Sequence, residues 1–128
     1  MNDLCFAGDV LEKIRRRGDR YDERAYLFVL ASIEFLQTRL PERRHVSGPE
    51  LTIACRDFAL EQYGLLARTV LEHWGIRGTG DFGRIVYALV EIGFLVTQPG
   101  DRVEDFHDVY AFEQAFGDAY VWQGIPGA

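Results

Sequence analysis

The clearest pattern of apolar and polar positions runs from Ser47 to Phe94 and consists of three helical segments, each closed by a glycine. Ser47 and Glu50 match a capping box, and Pro49 suits the first turn of a helix. Apolar residues then recur at three-to-four spacing, which indicates one face of a helix. The three segments predict helices at about 48–63, 65–74 and 79–92, with Thr79 as the N-cap of the third.

Two further helices are predicted before this stretch and one after it. The first covers about residues 3–16, and the second about residues 22–40, with Asp22 as a cap and Pro41 after its end. The second carries a long apolar stripe with a period of 3.6 residues, so we expect it to be central to the core. Phe106, Val109, Phe112 and Phe116 have helical spacing and predict a short helix at about 109–117.

Residues 94–106 are predicted to form either a β-hairpin or a loop. FLVTQ is apolar and β-branched, Pro99-Gly100 supplies a turn, and DRVEDF would return as the second strand. Three helices followed by a hairpin is the order of a helix-turn-helix with a wing. The predicted fold is therefore mainly α. It is a single domain of residues 1–128 with five to six helices, a helix-turn-helix-like core and a winged-helix-like hairpin.

Within this fold we expect four large apolar side chains in the core: Leu36, Phe58, Trp74 and Leu89. Near the end of the chain, Tyr120 and Trp122 are candidates for docking on the domain.

Several phrases of the chain resemble an uncharacterised family of small bacterial proteins. They are RHVSGPEL (44–51), LEHWGIRGTGDFG (71–83) and IVYALVEIGFL (85–95), joined by AYLFVLASIEF (25–35) and DFHDVYAFEQAF (105–116). The resemblance covers about residues 5–117. It implies a bacterial, single-domain protein and a recurrent unit, and it carries no catalytic residue or cofactor to this chain.

Composition indicates an ordinary globular protein, with 48% hydrophobic and 27% charged residues and a net charge of −6. No apolar run approaches the ~20 residues that span a bilayer, so no membrane contact is expected. The acidic first residues argue against a signal peptide, and Cys5 and Cys55 form no CxxC motif. We therefore expect a reduced, cytoplasmic protein in which Cys55 is a small buried apolar residue.

Candidate chemistry is sparse. GTGDFG contains the spacing of a dinucleotide fingerprint, but a helix precedes it where a strand is required. Asp81-Phe82-Gly83 lacks the other kinase motifs. Arg77 and Arg84 flank the start of the third helix and are candidates for holding an anion. Asp105, His107 and Asp108 fit a solvated acidic loop better than a metal site. We predict no enzyme, no metal and no cofactor.

A second candidate surface is the basic cluster Arg43, Arg44 and His45, extended by Arg39, Arg15 to Arg17 and Arg20. Nucleic-acid binding through helix 79–92 is disfavoured, because its outward residues (Asp81, Arg84, Tyr87, Ala88, Glu91) and the PGDRVED turn are net acidic.

The candidate anion- or partner-binding residues are thus Arg43, Arg44, His45, Arg77 and Arg84. The leading hypothesis is a non-enzymatic protein-interaction or regulatory domain with a protein partner or self-association. The alternatives are a winged-helix-like nucleic-acid binder and a small enzyme or anion or nucleotide binder that uses the RGTGDFGR loop.

Overall fold

The structure is a computed structural model that describes residues 11–16 and 21–116, and these parts are mainly helical. The helices are α1 (residues 11–16), α2 (Glu23–Arg39), α3 (Gly48–Tyr63), α4 (Ala67–His73), α5 (Thr79–Glu91) and α6 (Phe112–Phe116). Short 3₁₀ turns cover Gly64–Leu66 and Val103–Phe106. The first half of the predicted helix 3–16, and Tyr120 and Trp122, lie outside the described residues.

The helix starts at Asp22 and Ser47 are confirmed. The Ser47 hydroxyl accepts a hydrogen bond from the Glu50 amide (3.2 Å), and the Glu50 carboxylate accepts one from the Ser47 amide (2.8 Å). Asp22 caps α2 by accepting from the Arg24 amide at 2.8 Å. After α4 and α5 the chain turns at Gly75 (φ 97°) and Gly93 (φ 91°), in the left-handed region that favours glycine.

Thr79 is not the N-cap of α5, so that prediction is wrong. Gly78 is the N-cap, and Thr79 is the first helical residue. The Asp81 carboxylate accepts hydrogen bonds from the amides of Arg77 (2.8 Å) and Gly78 (3.3 Å). Because Asp81 satisfies the amides at the helix start, the buried Thr79 hydroxyl is free to accept from the Val109 amide at 3.2 Å. That bond fastens the segment before α6 to α5.

The core lies where α2 packs on α3 and α5, and Phe28 is at its centre. The Phe28 ring centroid lies 5.5 Å from that of Phe58, 5.7 Å from that of Trp74 and 6.5 Å from that of Phe82. Trp74 and Leu89 are buried as predicted, and Phe58 is partly buried against the core.

The prediction for Leu36 is wrong, because this side chain is only partly buried and is not part of the core. The buried face of α2 is made by Ala25, Tyr26, Phe28, Val29 and Ser32. Ser32 reaches the interior because its hydroxyl donates a hydrogen bond to the Phe28 carbonyl oxygen at 2.9 Å. The apolar pattern therefore placed the inner face too far towards the C-terminal end of α2.

Residues 94–106 form no β-hairpin, and no strand occurs anywhere in residues 21–116. The amides of Phe94 and Leu95 instead bond back to the Leu89 carbonyl oxygen, at 2.9 and 3.4 Å, and so finish α5. The returning half, DRVEDF, ends in the 3₁₀ turn Val103–Phe106, in which Phe106 is buried between α3 and α5. The ring of Phe106 lies against Gly48 and Gly83, and anchoring it there is incompatible with a second strand.

Candidate functional site

A cavity of about 140 Å³ opens between α2, α3, α5 and the segment 94–106; we refer to it as the cleft. Its apolar lining includes seven side chains: Ile33, Val46, Leu51, Val86, Leu95, Val96 and Phe106. Its polar lining includes Gln37, Arg44, His45, Tyr87, Asp101 and Arg102. A cavity of roughly 150 Å³ with apolar walls is large enough to hold a benzene ring. The cleft therefore has room for one ring or branched aliphatic side chain.

The loop between α2 and α3 is fixed in place at one side of the cleft. The Gln37 amide group donates to the Arg44 carbonyl oxygen (2.6 Å) and accepts from the Arg44 backbone amide (3.1 Å). The Arg44 guanidinium pairs with the Glu50 carboxylate at 2.7 Å and donates to the His45 carbonyl oxygen at 2.9 Å. Arg44 thus ties the loop to the start of α3.

Glu50 is held in its charged form by these contacts. The Arg44 guanidinium and the Ser47 backbone amide both donate to its carboxylate, and they lower the pKa of Glu50 to about 2. A carboxylate with a depressed pKa in the folded state stabilises the protein above its unfolded pKa, near 4.5. That stabilisation is lost as the pH falls from about 4.5 towards 2.

We therefore expect the free energy of unfolding to fall between about pH 5 and pH 2, and part of that fall to disappear in Glu50→Gln. Because the Glu50 side chain is 40% exposed, solvent screening limits the difference to about 1 kcal/mol. The measurement is urea unfolding at a series of pH values. Glu61→Gln, an exposed residue at the other end of α3, is the matched control. If the free energy of unfolding fell equally steeply with decreasing pH in Glu50→Gln and in the wild type, the lowered pKa of Glu50 would be contradicted.

His45 and Asp101 join the two loops that border the cleft. His45 Nε2 lies 3.0 Å from Asp101 Oδ2, and the same carboxylate accepts from the Gln98 amide at 2.8 Å. The hydrogen bond from Gln98 and the contact with His45 lower the pKa of Asp101. One carboxylate therefore shapes the 98–101 turn and links it to the α2–α3 loop.

Tyr87 brings a hydroxyl to the cleft within an acidic environment. Burial raises its pKa, and the carboxylates of Asp101, Asp105 and Glu104 raise it further. Tyr87 therefore stays protonated and available as a hydrogen-bond donor. The three carboxylates give this side of the cleft a negative field, which the guanidinium of Arg102 offsets only in part.

Arg77 and Arg84 lie elsewhere, in an open depression of about 410 Å³ that His107, Asp108 and Tyr110 also line. Arg84 pairs with Asp81 at 2.7 Å, and the Tyr21 hydroxyl donates to the same carboxylate. Burial raises the pKa of Asp81, but the bonds from Tyr21, the Arg77 amide and Arg84 outweigh burial and lower it. The start of α5 is thus already occupied by an anion of the chain itself.

The five predicted binding residues therefore fall into separate places. Arg44 and His45 line the cleft, and Arg77 and Arg84 line the depression at the start of α5. Arg43 lines neither and pairs with Glu34 of α2 through two bonds of 2.9 and 3.1 Å. That these five residues bind an anion or a partner stays a prediction.

Three features of the cleft were not found from the sequence. Val96 was assigned to a strand, yet this residue lines the cleft and is 83% exposed. Tyr87 was identified only as an outward residue of the third helix. Phe106, assigned to the second strand or to helical spacing, forms a wall of the cleft. A separate prediction, that Ala88 faces outward, is wrong, because Ala88 is buried. A valine and a tyrosine in amphipathic segments give no local signal that they share a cavity.

Two residues with nucleophilic side chains, Cys55 and Ser47, have structural roles. Cys55 is fully buried, and burial raises the pKa of its thiol to about 12, so it stays protonated. It is the small buried residue that the sequence predicts. Within residues 11–16 and 21–116 no group of three or more His, Cys, Asp or Glu side chains could hold a metal ion. Ser47 serves as a helix cap.

No protein-family model matches the chain, and neither a curated protein nor a solved structure matches it. The resemblance to a family of small bacterial proteins therefore stays a prediction. In the part of the chain that the structure describes, every helix is too short or too polar to cross a membrane.

Proposed function

We propose that this protein is a non-enzymatic protein-interaction domain that binds a partner protein at the cleft. The observation that carries this proposal is the position of Val96 beside an apolar cavity. It is the most exposed of the large hydrophobic residues among those described, and it lines the cleft together with Leu95 and Phe106. Exposed apolar surface next to a pocket with a polar rim is typical of a protein-binding site.

Nucleic-acid binding is a weaker candidate, although α3, α4 and α5 follow one another in the order of a helix-turn-helix-like core. The segment expected to form the wing contains no strand. The described arginines of the basic cluster each pair with a carboxylate: Arg15 with Glu23, Arg16 with Glu12, Arg39 with Glu61, Arg43 with Glu34 and Arg44 with Glu50. Neutralised guanidinium groups give little of the electrostatic attraction on which phosphate binding depends.

A small enzyme or nucleotide binder that uses the RGTGDFGR loop is also less favoured. The Asp81 carboxylate accepts hydrogen bonds from the backbone amides that would otherwise bind a phosphate, and it also accepts one from the Arg84 guanidinium. Gly80 and Gly83 lie within α5, where they make room for the side chains of His107 and Phe106. These contacts support a structural role for the glycines. We place the binding activity in the cytoplasm, on the cysteine content of the chain.

Site-specific photo-crosslinking in the native cell tests the proposal. A photoreactive amino acid at position 96 is expected to capture a discrete partner protein, identifiable by mass spectrometry. The matched control is the same amino acid at Leu65, an exposed apolar residue in the α3–α4 turn that does not line the cleft. The yield of that product should be much lower from position 65.

Identical cross-linking patterns from the two positions, or products that contain nucleic acid only, would contradict the proposed function. An adduct only between two copies of this chain would replace the partner protein with self-association.

A further inference from the structure

Two exposed residues beside the cleft, Val96 and Thr97, carry backbone amides that have no hydrogen-bond partner among the described residues. After Leu95, whose amide bonds to Leu89, the amides of Val96 and Thr97 make no hydrogen bond within the described parts of the chain. The next amide, that of Gln98, is bonded to Asp101. Both residues are exposed, so water satisfies these groups in the free protein. Unpaired backbone groups on an exposed segment are a template for another chain.

The side chains of this segment favour a strand, although none forms. Phe94, Leu95, Val96 and Thr97 are residues with high β propensity or large apolar side chains. A strand needs a second strand to bond with, and the described part of the chain supplies none, because Phe106 draws the returning residues into a 3₁₀ turn. The segment is thus suited to pairing with a strand from outside.

The cleft beside the segment offers a place for one side chain of such a strand. Its volume of about 140 Å³ and its apolar lining fit one large apolar residue. In peptide recognition by strand addition, main-chain bonds give affinity and a pocket for alternate side chains gives specificity. Both requirements are met here by adjacent residues.

The charge around the cleft selects the rest of the ligand. Asp101 and Asp105 line it, and Glu104 lies in the same turn, where its exposed carboxylate has no bond or ion pair with another described residue. Arg44 pairs with Glu50, Asp101 lies 3.0 Å from His45 and Asp105 lies 3.9 Å from Arg102, so Glu104 is the carboxylate left for a ligand. A basic residue next to the apolar one is therefore complementary to this surface.

We infer that the cleft binds an extended peptide segment of a partner protein. The segment pairs through its main chain with the 95–97 stretch, at the amide of Val96 or that of Thr97, because successive amides of an extended chain point to opposite sides. It also inserts one large apolar side chain into the cavity and places a Lys or Arg against the 101–105 turn. This inference rests on the proposed function and specifies the chemistry of the partner. It predicts a ligand that is recognisable in a short peptide.

The test is selection from a phage-displayed library of short random peptides against the full chain. We expect enriched sequences that alternate β-forming residues and carry one large apolar residue with a basic neighbour. The Kd of a synthetic enriched peptide is then measured by calorimetry. Methylating the peptide nitrogens that face residues 95–97 should weaken binding at least about tenfold, because each blocked hydrogen bond leaves a group unpaired.

Matched variants of the protein separate main-chain from side-chain recognition. Val96→Pro and Thr97→Pro each remove one backbone donor, whereas Val96→Ala and Thr97→Ala keep it. We expect one of the proline variants to lose at least about tenfold more affinity than its alanine counterpart. Because both positions are exposed, melting temperatures should stay near that of the wild type. Glu104→Gln should weaken peptides with the basic residue and leave those without it unchanged.

Three outcomes would overturn the inference. They are no enriched peptide, enriched peptides whose affinity is equal in the proline and alanine variants, and light scattering that shows a dimer disrupted by the proline variants. If a partner protein is cross-linked from position 96 but either of the first two results is obtained, the proposed function stands. Only binding by strand addition is then ruled out. Failure of the cross-link removes the proposed function itself.

Discussion

Replacing Phe28 by alanine is expected to destabilise the protein by about 3–5 kcal/mol. The Phe28 ring is buried and contacts the rings of Phe58, Trp74 and Phe82, which come from three other segments of the chain. Removing it leaves a cavity where α2 meets α3 and α5, and a loss of this size approaches the total stability of many small proteins. Urea unfolding at pH 7, followed by circular dichroism, measures the effect.

Phe35→Ala is the matched control, on the same helix and with the same side chain. Phe35 is only partly buried, with its ring 5.0 Å from that of Phe58 and the Arg39 guanidinium 4.1 Å from its centroid. Phe35→Ala should lower the free energy of unfolding by about 1–2 kcal/mol, because the Phe35 ring is already partly in contact with solvent. If the two variants had the same stability, Phe28 would not be the centre of the core.

The second large effect concerns Phe106, whose replacement by alanine is expected to cost about 3–5 kcal/mol. A β-carbon on Gly83 would lie 2.8 Å from the Cβ and Cγ atoms of Phe106, closer than carbon atoms pack. Gly83→Ala alone should therefore destabilise the protein by about 1–3 kcal/mol through overpacking, less the ~1 kcal/mol that alanine gains over glycine in a helix.

The two substitutions should be strongly non-additive. Alanine at position 106 keeps the Cβ atom but removes the ring that anchors the 103–106 turn. The turn can then shift away from α5, so Gly83→Ala should cost clearly less in the Phe106→Ala background. Gly80→Ala is the control in the same helix. A β-carbon there would meet only the exposed His107 ring, at 3.2 Å, which can rotate away. Additive costs for Gly83 and Phe106 would show that the ring does not require the glycine.

Helices and their starts were predictable because the interactions that form them are local. The capping box of Ser47 and Glu50 spans three residues, and α3 has the predicted bounds, Gly48–Tyr63. The start of α5 is the exception. Thr79 was predicted as its N-cap, but the Asp81 carboxylate accepts the hydrogen bonds from the amides of Arg77 and Gly78. Thr79 was then free to bind Val109, a residue far along the chain.

The candidate site was less predictable, because the sequence does not show which ion pairs the charged side chains form. Arg43 and Arg44 were grouped as a basic surface, but each pairs with a carboxylate of a neighbouring helix, Glu34 or Glu50. Arg77 and Arg84 do lie together, beside an acid that occupies the same position. Ion pairs across a helix–loop junction depend on how the loop folds back, which the spacing of residues does not specify.

By itself the sequence determined the helical class, the starts of α2 and α3, and most of the apolar face of α5, since these follow from contacts between residues a few positions apart. Only the tertiary structure decided the state of residues 94–106. A strand exists only if a second strand bonds to it, and the burial of Phe106 beside Gly48 and Gly83 holds the returning residues in a 3₁₀ turn instead. That arrangement leaves the Val96 and Thr97 amides without a partner in residues 11–16 and 21–116, beside the cleft.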